Sequence, residues 1–600
     1  MSITSQVERA LRDKLRGLAR ESALGEVDEA AVLRASFTVE RPKRAEHGDF
    51  ATNAAMVLAK QAKKPPRAIA DSLVAALAGD AVIRQAEVAG PGFVNLRLAP
   101  AVFQDEIARI HDAGIGYGRA PAGTGDRIDV EFVSANPTGP ITIAAARNAL
   151  YGDAVATLLE ATGHLVAREY YVNDFGNQVR LFGDSVAALA AGAEVPEDGY
   201  KGDYAKELAE YIKMSHPEVL ADGADKGARD RLCVSTMLGG VPGSKVLVGI
   251  RRALALLGVH HDVWFSEESL HRWGRVAIAL DKLEKGGYLV RRDGALFFVG
   301  KGADDDKDRV VQKSDGSYTY FASDIAYHAD KVERGYDRLI NVLGVDHHGY
   351  VSRVRNALEA LGLPSERFEG LLYNLVFIYR DGVVVKSSKR AGNVLTPEEL
   401  CEEIDEAAGR EGAGRDALRF FFLSRTANVN VEFDIELAKK KSLDNPVFYV
   451  QYGHARLSSI LRKAQDIGIG AFVAGDLAAL VHPDELAIAS KLADYPALVR
   501  DAAAAREPHK IAFYVQDLAR DFQSYFTRLK EDPILPQDSV RKEPGWESRW
   551  DMKKTRARLR WVEAIRLVYA SSLGLLGVSA PERMDRPDED DGEDARVNPE

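Results

Sequence analysis

The stretch RIDVEFVSANPTGPITIAAARNALYGDAVATLLEATGHLVAREYYV, from Arg127 to Val172, decides the fold of this chain. Apolar and polar residues alternate from Arg127 to Val133, which is the period of a β-strand. From about Thr142 to Thr162 the apolar spacing is helical and stops at a glycine, and His164 to Val172 forms a second strand pattern. Strand, helix and strand in this order build a parallel sheet. We therefore expect a doubly wound, Rossmann-like α/β fold of the nucleotide-binding type.

The turn between the first strand and the helix, Asn136 to Thr142, is suited to an anion. Free backbone N–H groups and the positive end of the helix dipole favour phosphate at such a turn. Pro137, Gly139 and Pro140 shape a tight approach, and the alanines at 144–146 leave room for a flat ring. Taken alone, an Ala-rich helix start more often reflects close packing, so this turn needs a second element to support nucleotide binding.

The second element is the segment KSSKRAGN, from Lys386 to Asn393. Two lysines three residues apart on a loop that contains glycine can close over a triphosphate and stabilise the charge of leaving pyrophosphate. A lone KSSK is more often a solvated loop. Its pairing with a phosphate-binding helix start earlier in the chain favours nucleotidyl transfer.

The remaining sequence predicts further regions around this core. At 600 residues the chain should form two to four domains. Residues 1–110 mix helical and strand patterns and should form an α+β N-terminal domain. Residues 126–434 should form the α/β catalytic core with a helical insertion at about 184–244, and residues 435–583 an all-α helical bundle. The acidic residues 584–600 have the composition of a disordered tail. Within the core we expect a hairpin and three more strands at Tyr288–Val299, Leu339–Val345, Leu371–Tyr379 and Val383–Val385.

Composition limits the class of protein. Hydrophobic residues make up 46% and charged residues 28%, which is typical of a soluble globular protein. The formal net charge of -11 argues against indiscriminate coating of nucleic acid, so any such contact needs a local patch. The basic run from Lys553 to Arg560 is a candidate, and a solvated helix face is an equally good interpretation. The only cysteines, Cys233 and Cys401, lie far apart, and no signal peptide or membrane span is apparent, so we expect a cytoplasmic protein without a metal site.

Several separated blocks resemble the arginyl-tRNA synthetases, a class I aminoacyl-tRNA synthetase family. EFVSANPTGP from Glu131 and REYYVNDFGNQ from Arg168 are similar to the family's first motif region, and KSSKRAGN is similar to its KMSK loop. HGDFATNAAMVLAK from His47 and GPGFVNLRL from Gly90 resemble its tRNA-contacting N-terminal domain. DNPVFYVQYGHARLSSI from Asp444 and LGLLGVSAPERM from Leu573 resemble its helical anticodon-binding domain. The likeness covers nearly the whole chain.

The resemblance implies an arginine–tRNA ligase. Such an enzyme activates L-arginine with ATP and Mg²⁺ to arginyl-adenylate and transfers the arginyl group to the 3' end of tRNA(Arg), usually as a monomer without a tightly bound cofactor. The implied catalytic residues are Lys386 and Lys389. The implied ATP-binding residues are Pro137, Thr138, Gly139, Pro140, Thr142, Ala144, Ala145, Arg147 and Ser388. The implied arginine-binding residues are Glu131, Asn136, Tyr320, Asp324 and Asp346, in keeping with a planar cation that needs carboxylate acceptors. The implied tRNA-binding residues are Asn53, Phe448, Gln451, Tyr452 and Arg456.

The first motif departs from the family pattern. A HIGH-type motif carries two imidazoles that donate to ATP phosphates, whereas this chain has Thr142, Ile143, Ala144 and Ala145. Loss of one preorganised donor costs about 2.7 to 4 kcal/mol, or roughly a hundredfold to a thousandfold in rate. His347, His348 or Arg147 could replace these donors. In the second motif, Ser387 stands at the usual methionine.

Two other functions therefore stay open. The chain could be a weakened paralogue that binds tRNA or arginine without charging, although a dead ATP site has no evident need for both lysines. It could also activate arginine for transfer to a small molecule or another protein. The N-terminal and C-terminal blocks weaken that third interpretation, because such a ligase does not need tRNA-contacting domains.

Overall fold

The computed structural model describes residues 2–299, 309–385, 395–470, 472–473 and 475–585. The chain packs as two compact units. The first unit consists of Met1–Tyr117, Gly453–Pro496 and Asp517–Ser571. The second unit consists of Gly118–Tyr452, Ala497–Gln516 and Ser572–Glu600.

The N-terminal part of the first unit is an α+β structure. Its helices are α1 Ile3–Arg20, α2 Glu29–Arg34, α3 Ala54–Ala62, α4 Pro66–Ala76 and α5 Pro100–Ala113. Its strands are β1 Val39–Glu40, β2 Phe50–Thr52, β3 Ile83–Ala89 and β4 Phe93–Leu98, which form an antiparallel sheet in the order β1-β2-β4-β3. Helix α1 is amphipathic and buries Val7, Leu11 and Leu15 on one face.

The second unit contains the α/β core. Its strands are β5 Arg127–Glu131, β6 Leu165–Val172, β7 Val263–Ser266, β8 Leu289–Arg292, β9 Ala295–Phe298, β10 Arg309–Gln312, β11 Arg338–Gly344, β12 Phe368–Tyr373, β13 Val376–Arg380, β14 Val383–Val384 and β15 Val431–Asp434. Its helices are α6 Ile143–Ala161, α7 Asn177–Ala191, α8 Asp203–Ser215, α9 Lys226–Gly239, α10 Ile250–Leu256, α11 Glu267–Arg272, α12 Arg275–Lys285, α13 Tyr320–Glu333, α14 His348–Ala360, α15 Pro397–Ala408, α16 Ala413–Leu423 and α17 Ile435–Lys439.

The C-terminal part of the chain is helical and contributes to both units. Its helices are α18 Pro446–Asp466, α19 Pro483–Ala505, α20 His509–Arg528, α21 Asp538–Arg541 and α22 Met552–Leu575. In the part of the chain that the structure describes, none of the helices has both the length and the apolar character needed to cross a bilayer.

A five-stranded parallel sheet forms the centre of the second unit, in the order β12-β11-β5-β6-β7. Counted along the chain, this is the doubly wound order 3-2-1-4-5, so the predicted Rossmann-like core is confirmed. The strand order reverses between β5 and β11. Folds of this type bind ligands in the crevice at the carboxyl ends of the strands beside such a reversal.

The local predictions mostly agree with these elements, and one strand prediction was wrong. The hairpin at Tyr288–Val299 is confirmed as β8 and β9. The run Leu371–Tyr379, however, is not one strand, because the chain leaves the main sheet after β12 and enters a separate small sheet as β13. The backbone turns between them, where the Asn374 N–H donates to the Ala427 carbonyl at 2.8 Å. An apolar run indicates burial but not the sheet to which each half belongs.

Two arginines of the basic run at Lys553–Arg560 form ion pairs within the first unit. Arg558 is 1% exposed and donates to Glu485 at 2.6 Å, and Arg556 donates to Asp476 at 2.7 Å. The carboxylates fix both guanidiniums, that of Arg558 fully buried and that of Arg556 partly exposed. The patch interpretation is therefore wrong for these two arginines, because tertiary contacts rather than helix periodicity decide where they point.

Candidate active site

The turn after β5 has a strained backbone at the crevice. Val133 and Ser134 have φ values of 70° and 41°, which is rare for residues other than glycine and above all for a β-branched valine. Asn148 holds the turn, because its Oδ1 accepts from the Val133 N–H at 2.6 Å and its Nδ2 donates to the Val342 carbonyl at 2.9 Å. The same side chain thus ties the turn to β11.

Helix α6 begins after this turn. Its first turn has one side-chain cap and two backbone N–H groups that remain available to a ligand. The Thr142 hydroxyl accepts from the Ala145 N–H at 3.3 Å. The N–H groups of Ile143 and Ala144 have no partner among the described residues, and Ala144 is exposed. These donors and the helix dipole can bind an anion, as the sequence predicted.

Gly152 allows α6 to approach β5 closely. A β-carbon at this position would lie 2.3 Å from Cγ of Phe132, which follows β5 directly. No larger residue fits without moving the helix or the ring. The glycine therefore helps to set the helix start against the end of the strand.

An acidic pocket lies at the same edge of the sheet. Tyr320 and Asp324 are one turn apart on α13, and Glu131 ends β5. Burial, followed by the negative charges of Glu131 and Glu267, raises the pKa of Asp324 to about 7. A pocket that holds carboxylates against their mutual repulsion favours a cationic ligand.

Glu267 was missed by the sequence reasoning. Its side chain is 3% exposed, and its Oε2 has no hydrogen-bond partner among the described residues. One feature of the sequence could have indicated it: Glu267 directly follows β7, so it lies at the carboxyl edge of the parallel sheet with Glu131. A buried carboxylate oxygen without a donor is suited to a guanidinium N–H.

Asn136 is held between two residues of the segment REYYVNDFGNQ. Its Oδ1 accepts from Asn173 Nδ2 at 2.9 Å, and its Nδ2 donates to Gln178 Oε1 at 2.7 Å. Tyr170 donates to the Ala135 carbonyl at 2.7 Å. The two sequence blocks that flank α6 thus form one hydrogen-bonded surface.

The other predicted ATP and arginine residues have different surroundings. Pro137, Thr138 and Gly139 are buried, whereas Asp346 is exposed on the turn after β11. Tyr320 is also more than half exposed. Lys386, Lys389 and Ser388 lie outside the described residues, as does the His348 side chain. Their predicted roles stay predictions.

Arg147 corrects one prediction. Its guanidinium is 2% exposed and donates to five backbone carbonyls, those of Asn374, Leu375, Thr426, Ala427 and Val429. These carbonyls occupy the donors that the sequence assigned to ATP. Arg147 instead fixes the backbone where the chain leaves the main sheet, because a buried guanidinium must be satisfied nearby.

The predicted tRNA residues fall in both units. In the first unit, Asn53 accepts from the Thr38 N–H at 2.8 Å, and the Arg456 guanidinium lies 4.9 Å from the centre of the Phe526 ring. In the second unit, Phe448 stacks on Tyr452, with ring centres 5.9 Å apart.

Phe448 also lines a basic cavity of about 360 Å³ with Gln451, Arg410 and the lysines 439–441. The Gln451 amide is buried and donates to Asp416 at 2.8 Å. The cavity therefore combines cationic side chains with an aromatic wall, which suits a nucleic-acid strand.

Three family models match this chain. The arginyl tRNA synthetase N terminal domain matches residues 4–98, the catalytic domain of tRNA synthetases class I (R) matches residues 247–413, and the DALR anticodon binding domain matches residues 450–584. The chain is 40% identical over 615 residues to an arginine–tRNA ligase of Thioalkalivibrio sulfidiphilus, covering 96% of this chain and 100% of that protein.

Two further proteins agree with these matches. An arginine–tRNA ligase of Moorella thermoacetica is 42% identical over 585 residues, which cover 94% of this chain and 99% of that protein. The solved structure of Thermus thermophilus arginyl-tRNA synthetase has the same fold, with a TM-score of 0.68 at 24% identity, covering 97% of this chain and 100% of that one.

Proposed function

The chain belongs to the arginyl-tRNA synthetase family, and we propose how the residues of its site carry out the reaction of an arginine–tRNA ligase. In the first step the carboxylate of L-arginine attacks the α-phosphate of ATP, which forms arginyl-adenylate and releases pyrophosphate. In the second step a hydroxyl of the terminal ribose of tRNA(Arg) attacks the arginyl carbonyl, and AMP leaves. Binding and orientation of the three substrates supply most of the catalysis.

The acidic pocket selects arginine. Asp324 and Glu267 accept from the planar guanidinium, and Tyr320 closes the exposed side of the pocket. Glu131, which ends β5, and Asn136, in the segment that follows, hold the main-chain groups of the substrate, and Asp346 on the turn after β11 assists them. An uncharged side chain would leave these buried carboxylates unpaired, so the pocket rejects it.

The turn from Pro137 to Pro140 and the start of α6 hold ATP. The free N–H groups of Ile143 and Ala144 and the hydroxyl of Thr142 approach the phosphates, and the small side chains at 144 and 145 admit the adenine ring. Lys386 and Lys389, with Ser388 between them, stabilise the leaving pyrophosphate. We infer that ATP enters as its Mg²⁺ complex, since the cation shields charge that builds up on the phosphates.

One observation supports this assignment above the others. Strand β5 ends at Glu131, whose charge helps to raise the pKa of Asp324, and the chain then runs through the turn before α6, so the acidic pocket and the anion-binding helix start both adjoin the carboxyl end of β5. Arginyl-adenylate carries a guanidinium at one end and a phosphate between its arginyl and adenosine parts. The crevice therefore matches the two charges of this intermediate in one site.

The proposed tRNA contacts are Asn53, Phe448, Gln451, Tyr452 and Arg456. We propose that the contacting regions are residues 1–110 and 435–583, which precede and follow the catalytic region 126–434 in the sequence. The basic cavity beside Phe448 supports this proposal, because lysines and an arginine can neutralise tRNA phosphates while the ring offers a surface for a base.

We also infer a monomer that acts in the cytoplasm. Both cysteines are buried and unpaired, which fits a reducing compartment. Light scattering of the purified protein and fractionation of the source cells test the two statements separately.

Charging of tRNA(Arg) with labelled arginine tests the proposed roles. Lys389→Ala should reduce charging about a hundredfold or more, because it removes charge stabilisation from the transition state. Asp324→Asn should raise the KM for arginine about tenfold or more and leave the KM for ATP unchanged. Lys285→Ala is the control, because Lys285 is an exposed lysine of α12 that pairs with Asp281.

The two variants test separate parts of the proposal. Undiminished charging by Lys389→Ala would remove the KSSK segment from the mechanism. An unchanged arginine KM in Asp324→Asn would remove the acidic pocket from substrate recognition. The control should behave as the parent chain in both measurements.

A further inference from the structure

Two carboxylates of the arginine site, Glu131 and Asp324, come from different elements of the core. Glu131 ends β5, whereas Asp324 lies in the first turns of α13. A chain of buried polar groups connects the Glu131 carboxylate to the backbone carbonyl of Asp324. We infer that His328 and Asn341 are positioning residues that hold the Glu131 carboxylate and the turn of α13 that carries Asp324 in place for L-arginine, an inference that rests on the proposed function above.

The connection consists of three hydrogen bonds. His328 Nδ1 donates to the backbone carbonyl of Asp324 at 2.8 Å. His328 Nε2 lies 3.1 Å from Asn341 Nδ2, and the same amide nitrogen donates to Glu131 Oε2 at 2.8 Å. Each of the two hydrogens on Asn341 Nδ2 thus has its own acceptor, one in His328 and one in Glu131.

Only one protonation state of His328 fits these contacts. Because the Asp324 carbonyl can only accept, Nδ1 must carry the hydrogen, and Nε2 must then accept from Asn341. Burial, followed by the positive charge of Lys331, lowers the pKa of His328 to about 4. The imidazole therefore stays neutral and keeps this polarity under working conditions.

Lys331 completes the support of Glu131. Its ammonium donates to Glu131 Oε2 at 2.8 Å and lies 2.6 Å from Asp129. Lys331, His328 and Asn341 are all at most 1% exposed. One oxygen of Glu131 is therefore saturated by Lys331 and Asn341 in a fixed position.

The other oxygen of Glu131 stays available. Oε1 accepts one hydrogen bond, from Ser134 at 3.0 Å, and a carboxylate oxygen has room for a second. The Glu131 side chain is 11% exposed, so a substrate can reach it. The network thus orients Glu131 and leaves one acceptor site for arginine.

The functional consequence is specific to arginine binding. Charge-assisted hydrogen bonds depend on geometry, and a misplacement of about 1 Å in a positioned group can cost roughly a hundredfold. Breaking the link between the Glu131 carboxylate and the backbone of Asp324 should therefore weaken arginine binding. Among the described residues, the hydrogen bonds of His328 and Asn341 do not involve the start of α6, so the proposed ATP site should be unaffected.

A set of variants separates positioning from simple stability. His328→Leu removes both ring contacts, whereas His328→Gln keeps an acceptor at the same distance from the backbone and can still bind the Asn341 amide. Asn341→Ala removes the hydrogen bond to Glu131. Asn341→Ser also removes it but leaves a smaller cavity, so it replaces the alanine variant if that one folds poorly. His509→Gln is the control, because His509 is a buried histidine that contacts Phe513 and no residue of the network.

The readouts are the KM values for arginine and ATP in the charging assay and the Tm of each variant. We expect the arginine KM to rise about tenfold or more in His328→Leu and in both Asn341 variants, with the ATP KM within about twofold of the parent. His328→Gln should restore most of the arginine KM. The control should change neither constant.

Two results would overturn the inference. One is an arginine KM that stays within twofold of the parent in folded His328→Leu and Asn341→Ser. The other is a parallel rise of both KM values in these variants and in His509→Gln, which would indicate general loss of stability. Glu131→Gln and Asp324→Asn, measured alongside, distinguish this from failure of the arginine pocket itself, because a failed pocket would leave the arginine KM unchanged in those two variants as well.

Discussion

Lowering the pH from 8 to 6 should weaken the binding of L-arginine about tenfold through Asp324. The pKa of this carboxyl in the free pocket is about 7, raised by burial and then by the charges of Glu131 and Glu267. Its ionised fraction is therefore about 0.9 at pH 8 and about 0.1 at pH 6. Because the guanidinium favours the ionised form, binding lowers this pKa and releases the proton, and affinity rises with pH.

Calorimetric titration of the protein with L-arginine measures this effect directly. At pH 7 about half a proton should be released for each arginine bound, which appears as a difference in heat between two buffers of unlike ionisation enthalpy. Asp324 also faces Tyr350 and Arg353. Burial holds the pKa of the Tyr350 hydroxyl well above its usual value of 10, so that group does not titrate in this range.

The Asp324→Asn variant identifies the group responsible. It should bind arginine more weakly at pH 8 and lose the proton release. A Kd in the parent chain that does not change between pH 6 and pH 8 would refute the reasoning, and so would the same pH dependence in Asp324→Asn.

Three further predictions concern packing and the first motif. Gly152→Ala should cost about 1 to 3 kcal/mol and lower the Tm, because the new β-carbon would lie 2.3 Å from a phenylalanine ring, whereas Gly17→Ala in α1, with nothing within 4 Å, should stabilise slightly. Arg558→Met should cost about 3 to 5 kcal/mol in urea unfolding, because it leaves the buried Glu485 carboxylate without its cation; a loss of tRNA affinity without loss of stability would contradict this. Restoring both imidazoles with Thr142→His and Ala145→His should speed tRNA-dependent pyrophosphate exchange about a hundredfold or more, and an unchanged rate would mean that other donors already serve the phosphates.

Sequence alone predicted the parts of the site that depend on local order. The anion-binding helix start follows from a strand, a turn and a helix within one continuous segment. The family resemblance paired Tyr320 with Asp324, and the structure places them four residues apart on α13. Such relations need no knowledge of the rest of the chain.

For other residues the structure shows contacts that their place in the sequence did not predict. Arg147 lies in the first motif region, but its guanidinium binds carbonyls more than 200 residues away. Glu267 has no motif of its own, and the packing of β7 in the sheet brings it close to Asp324. Arg558 lies in a basic run, and carboxylates from other elements bury it.

The sequence by itself determined the fold class, the family and the order of the domains, because hydrophobic period, turn chemistry and separated motif blocks are properties of the linear chain. Only the tertiary structure shows which charged side chains form ion pairs and hydrogen bonds with each other. Lys331 is 200 residues from Glu131, and Asn341 is 210 residues from it, yet both hold its carboxylate. Periodicity shows that a polar residue faces the core, but only the packing of α13 and β11 against β5 shows which partner satisfies it there, since a buried polar group is stable only with a partner that the fold supplies.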